Sequence, residues 1–131
     1  MNAMKITQKQ IEAVIALPGP RRYAHFVKVV ADQRRAWGLY SDGWALAGTS
    51  EEIPVFPLWP AREYAALCAA GEWSQYEPRE IDLDDLFERL LPSLKERKTS
   101  LGIFYTPSDK GVLPTIEQFE KDLHTEIERI E

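Results

Sequence analysis

Apolar residues along this chain recur at two spacings, one that of helices and one that of strands. Ile11, Val14 and Ile15 share a helical face, and so do Tyr23, Phe26, Val27 and Val30 in RRYAHFVKVVADQRR (21–35). Thr7 reads as the N-cap of the first helix, with Gln10 as its capping-box partner. LPGP (17–20) stops that helix, and Pro20 suits the first position of the next. Arg34 and Arg35 fall near its C-terminus, where the helix dipole favours cations. PAREYAALCAAG (60–71) predicts a helix opened by Pro60, with Gly71 at its C′ position. Asp82 caps LDDLFERLLPSLKER (83–97), striped by Leu83, Leu86, Phe87, Leu90, Leu91 and Leu94, and Pro92 should kink or split it. In TIEQFEKDLHTEIERIE (115–131), Ile116, Phe119, Leu123, Ile127 and Ile130 recur at steps of 3, 4, 4 and 3. That is a narrow, coiled-coil-like seam, with Thr115 and Gln118 offering its capping box.

Alternation takes over in WGLYSDGWALAG (37–48). Asp-Gly between apolar runs is a strong hairpin signal, because a type I′ turn needs positive φ at both central residues. With Asp42 and Gly43 in that turn, Ser41 pairs with Trp44, Leu39 with Leu46 and Trp37 with Gly48. Trp37, Leu39, Trp44 and Leu46 then share one face, and Gly38, Tyr40, Ala45 and Ala47 the other. PVFPLWP (54–60) predicts a strand at an edge or with a bulge, since Pro57 has no N–H for a ladder. A short strand over 76–81 is weakened by Pro78. SLGIFYTP (100–107) is the clearest buried strand, and SDKG (108–111) is a turn. The predicted class is α+β: a mostly antiparallel sheet of hairpin 36–48 and strands 54–59, 76–81 and 100–106, packed with about five helices.

Composition changes this picture little. A chain of 131 residues predicts one domain, and 44% hydrophobic with 28% charged residues suits an ordinary core. No apolar run approaches the ~18 residues of a membrane span, and MNAMKITQKQIEAV lacks the apolar segment of a signal peptide. A cytoplasmic location is expected, and the single Cys68, which excludes an internal disulfide, agrees with it. Net charge is −5, unevenly spread: residues 1–50 carry +4 and residues 51–131 carry −9. Mutual neutralisation across one fold is the plain reading, and a binding surface the sharper one. An acidic chain without a basic stripe is a poor partner for nucleic acid, because phosphate neutralisation supplies most of that affinity.

No catalytic constellation emerges. His25 and His124, the two histidines, fall in different helices with no second ligand at metal spacing, so neither a metal nor a cofactor is expected. Cys68 sits among alanines near a helix C-terminus, without the positive charge that a reactive thiolate needs. TPSDKG (106–111) lacks the glycines of a phosphate loop. Asp82, Asp84, Asp85 and Glu88 open a helix, where negative charge offsets the dipole.

The aromatics and two arginines remain. Trp37 and Trp59 are expected in the core, whereas Trp44 beside the turn and Trp73 in a loop with Tyr76 are harder to bury. Arg21 and Arg22 stand at a helix start, where the dipole disfavours cations. An ion pair with an acid from the second half explains them, and so does an acidic partner.

RYAHFVKVVADQRRAWGLYSDGWALA, VFPLWPAREYAALCA, GEWSQYEPREIDLDDL and LGIFYTPSDKGVLPTIEQFEKDL together resemble a family of small bacterial proteins, domain of unknown function 2750. The likeness spans roughly residues 20 to 125, and its most specific parts are W-G-L-Y-x-D-G-W and F-P-L-W-P. It implies a stand-alone bacterial domain with this order of elements and brings no catalytic residue or cofactor. Two functions stay open. One is a non-enzymatic protein-interaction module, of adaptor or immunity type, contacting a partner through Arg21, Arg22, Trp44, Trp73 and Tyr76. The other is a small-ligand binder or minor enzyme, with a pocket between the sheet and the 60–71 helix lined by Trp59, Tyr64 and Tyr105. Self-association through the C-terminal seam or the Pro57 edge strand is a third possibility.

Overall fold

A computed structural model describes residues 6–48 and 53–131, so Met1–Lys5, which opens the stretch read for a leader, lies outside it. Helix α1 (Gln8–Ile15) starts with the predicted box: Thr7 Oγ1 accepts from the Gln10 amide at 3.1 Å and Gln10 Oε1 from the Thr7 amide at 3.0 Å. Helix α2 (Gly19–Gln33) carries proline in its first turn, where a missing N–H costs nothing. It ends on Arg34 in the left-handed conformation, φ 61°. Arg34 is thus the residue that turns the chain out of the helix into strand β1 (Arg35–Tyr40), and it does not lie in the last helical turn.

The Asp-Gly reversal forms, but one residue out of the expected register. Asp42 (φ 60°) and Gly43 (φ 155°) take positive φ, the Ser41 amide donates to the Gly43 carbonyl, and Tyr40 rather than Ser41 pairs with Trp44. A shift of one residue carries a side chain to the other face of a sheet. Trp44 therefore lies over Gly38 beside Tyr40, opposite Trp37, and the expected shared face of the two indoles is overturned. The return arm is no strand either. After the Ala45 amide bonds to Leu39, the chain leaves β1, and Ala47 pairs with Val55 instead.

Strand β1 instead pairs antiparallel with β3 (Glu77–Asp82), while β2 (Val55–Leu58) pairs parallel with β4 (Ser100–Ile103). The mostly antiparallel expectation thus holds for only one of two small sheets, because β4 returns after a long crossover and not through a hairpin. Two backbone hydrogen bonds between Trp37 and Trp59, 2.9 and 2.8 Å, join the sheets, so the strands run β3-β1-β2-β4 across the molecule. Pro57 is consequently flanked on both sides and is not on an edge. Val55 bonds Ala47 and Trp59 bonds Trp37. By alternation Pro57 faces that same side, in the gap between the two bridges, where no donor is required.

Helix α3 is shorter than its sequence predicts, Arg62–Leu67, and Gly71 (φ 59°) opens a separate 3-10 turn, Gly71–Trp73, rather than ending α3. From Asp82 the chain enters a short helical turn, α4 (Leu83–Asp85), then a π turn over Leu86–Leu90, then α5 (Leu91–Glu96). Pro92 accounts for the slip: it has no N–H to continue the i→i−4 ladder, and the Leu91 amide reaches back five residues to the Leu86 carbonyl. Strand β4 stops at Ile103, short of the predicted 106, because Phe104 takes φ 67° and turns the chain aside. Helix α6 (Ile116–Ile130) begins with Thr115 Oγ1 accepting from the Gln118 amide at 3.0 Å, while the Gln118 side chain turns to Asp122. Its seam packs inward on α2, with Phe119 and Leu123 fully buried and the Phe119 ring 5.9 Å from that of Phe26. Ile130, at the far end, is exposed.

Gly38 and Gly111 are both set by close approach, one to a side chain and one to backbone. A Cβ on Gly38 would stand 2.9 Å from the Trp44 ring, and one on Gly111 would stand 2.5 Å from the Ile103 carbonyl oxygen. A half-buried side chain can move aside, and a backbone carbonyl cannot. Gly38→Ala should therefore cost about 1–3 kcal/mol, and Gly111→Ala more, in urea denaturation midpoints. The reverse order would contradict this packing.

Candidate functional site

Register and alternation sort the side chains onto two faces of the sheet. Gly38, Tyr40, Arg79, Ile81, Phe56 and Leu58 lie on the first, together with Trp44, whose ring contacts Tyr40 at 5.1 Å and Phe56 at 5.6 Å. Trp37, Leu39, Val55 and Trp59 lie on the second.

On the first face, a cleft of about 580 Å³ opens between the 43–46 turn, β3 and the irregular helix 83–96. Trp44, Phe56 and Ile81 form its apolar floor and Leu46, half exposed, its rim. Asp85, Arg89, Ser93 and Arg97 reach it from the helix side. Arg89 is solvent-exposed and loosely paired with Asp85 at 3.5 Å. Among the described residues, Arg97 has no carboxylate within ion-pair distance. Arg79 beside the cleft holds its guanidinium 4.1 Å over the Tyr40 ring. The π turn matters here, because an extra residue in the helical turn rotates the residues after it relative to those before it. Asp85 precedes that slip, Arg89 lies within it, and Ser93 and Arg97 follow it.

The five residues expected to form one contact patch do not come together. Arg22 is buried: Nη1 donates to the Leu17 carbonyl (2.8 Å), Nε to Phe104 (3.3 Å), and Nη2 to Lys110 (3.1 Å) and to Asp109 Oδ2 (3.1 Å). The ion pair with an acid of the second half is therefore present, between a buried guanidinium and an exposed carboxylate. Arg21 next to it is exposed. Trp73 stands edge-on to Trp59 at 6.1 Å and near Tyr105 at 6.3 Å, which puts it on the second face, away from Trp44. Tyr76, half buried, follows it in the same turn.

Trp59, Tyr64 and Tyr105 meet as packing. Trp59 is fully buried and its Nε1 donates to the Tyr105 carbonyl at 2.9 Å, while Tyr64 packs on Phe104 at 5.0 Å. Cys68 Sγ also donates to the Tyr105 carbonyl, at 3.4 Å, and burial pushes its thiol up to about 11. That thiol stays protonated at neutral pH, as its surroundings in the sequence imply. Asp82 occupies the N-cap position of its helix but makes no side-chain capping bond. His124 is exposed and stacks on Phe87 at 4.4 Å, and among the described residues no His, Cys, Asp and Glu group could hold a metal ion. No helix among them is long and apolar enough to cross a membrane.

Nothing in the sequence pattern marks Arg89, Arg97 and Phe56 as neighbours of Trp44. The local signals for the cleft are Trp44 beside the turn and Pro92, which predicts a break in the helix but not which side chains that break brings together.

His25, half buried between Tyr64 (6.4 Å) and Phe104 (6.2 Å), is held below the ordinary histidine value of 6.5 by burial and, less, by Lys28. Below pH 6.5 the unfolded chain binds a proton that the folded one resists, so stability falls as pH drops from there. His25→Gln should flatten this loss when urea midpoints are compared at pH values about one unit above and one unit below the ordinary histidine value. An unchanged pH dependence would show that His25 is not kept neutral by the fold.

No curated protein matches the chain. The model of one family, described as a protein of unknown function (DUF2750), matches residues 23–123, from the second turn of α2 to the middle of α6. With that match over most of its length, the chain belongs to the DUF2750 family.

Proposed function

We propose that this protein is a non-enzymatic interaction module that binds a segment of another protein in the Trp44 cleft. The observation that carries this reading is the half-buried indole of Trp44, flanked by Arg89 and Arg97 and rimmed by the exposed Leu46. Trp and Arg are the residue types that dominate binding energy at interfaces. The cleft asks for an apolar side chain against Trp44 and Phe56 and a carboxylate within reach of Arg97, which has no acid of its own among the described residues. An acidic chain of net charge −5 repels such a segment elsewhere on its surface. The original contact set contracts to Trp44, because Arg22 is enclosed and Trp73 with Tyr76 belongs to the other face. A bacterial, cytoplasmic setting goes with this reading, and a lone un-ionised thiol fits it.

A second reading has support from one observation. The cleft volume of about 580 Å³ also lies in the range of small-molecule sites. The two readings separate by competition: a protein segment spans the exposed Leu46 rim, and a small molecule sits within.

The test is affinity capture followed by binding measurement on the captured partner. Trp44→Ala and Arg97→Glu should each weaken that binding about tenfold or more, and Leu46→Arg should do the same. Trp73→Ala should leave it intact. If all four variants bind alike, or if wild type captures nothing, the interaction reading is wrong.

A further inference from the structure

We propose that Tyr105–Lys110 is a strap that opens as a unit, hinged at Phe104 and Gly111 and held shut by Arg22, and that opening uncovers Trp59 and Cys68 on the second face of the sheet. Three separate costs converge on this short segment. Phe104 has φ 67°, a region that bulky side chains avoid, yet its ring is fully buried. Thr106 Oγ1 is buried and has no hydrogen-bond partner among the described residues. Arg22 carries a buried charge, and its carboxylate partner among the described residues, Asp109, sits on the strap with a side chain 61% exposed.

The restraints are few and identifiable. Backbone pairing joins Ile103 to Val112 at the base of the strap and Thr106 to Asp109 within it. Arg22 grips both ends, through the Phe104 carbonyl at one and through Asp109 and the Lys110 carbonyl at the other. Residues 107–110 are themselves exposed and bury little of the core. Few apolar contacts over 107–110 are the mark of a segment with low local stability. Gly111 lets the ends close, since its Cα passes where a Cβ would meet the Ile103 carbonyl.

What the strap covers is equally specific. Its Tyr105 carbonyl accepts both the Trp59 indole N–H and the Cys68 thiol. When it lifts, both donors lose their partner and the only thiol of the chain becomes accessible. This inference concerns the face opposite the Trp44 cleft and is independent of the function proposed for that cleft.

The thiol is its own reporter. Labelling of the full-length protein by an uncharged maleimide, followed at urea concentrations below the unfolding transition, reads the opening directly. For wild type the labelling rate should be nearly independent of urea, as for a local opening that exposes little surface. Asp109→Ala should raise it about tenfold by removing the one charged latch. Thr106→Val should lower it several-fold, because an apolar isostere relieves the stranded hydroxyl. Should Asp109→Ala fail to fold, Thr106→Val carries the test alone. A wild-type rate that rises with urea along the slope of global unfolding, or a Thr106→Val rate equal to or above wild type, overturns the strap.

Discussion

Two hydrogen bonds between the backbones of Trp37 and Trp59 join an antiparallel pair of strands to a parallel pair. A two-stranded ladder is marginal by itself, and four strands with helices on them make a surface worth burying. The join sets which side chains share a face. Trp37 and Trp59 fall together on one side, and Phe56, one residue away from that side, meets Trp44 on the other. The cleft and the strap are thereby placed on opposite faces of one sheet.

Each face is finished by a backbone irregularity with a chemical cause. On the first, Pro92 denies the helix a donor and a π turn results, bringing side chains from both halves of 83–97 to the Trp44 cleft. On the second, Phe104 ends β4 in a left-handed conformation and sends the chain over Trp59 and Cys68. Strained or irregular backbone persists only where its surroundings over-determine it. Here Arg22 does so, tying the start of α2 to a segment more than eighty residues away.

Arg22 also explains a charge that the helix dipole disfavours. A cation in the first turn of α2 costs a few tenths of a kcal/mol, and four hydrogen bonds outweigh that cost. The neighbouring Arg21 has the same sequence context and is turned to solvent. Adjacent residues of one type thus separate into a structural clamp and a surface charge through helical phase alone.

The sequence by itself determined the α+β class, the family, the capped starts of α1 and α6, the position of the reversal at 42–43 and the burial of Cys68. All of these depend on near neighbours: a hydroxyl and an amide three residues apart, the φ tolerance of Asp-Gly, a thiol among alanines. Tertiary structure decided the rest. The Tyr40–Trp44 register, the parallel partner of β2 and the burial of Arg22 each rest on a residue far along the chain, with β3 taking the place the hairpin arm would have filled. Local preference allows either register at a tight turn, and a one-residue slip costs little until a sheet face must be buried. Only the packed core, by seating Trp44 over Gly38 against Phe56, makes one register the lower in energy.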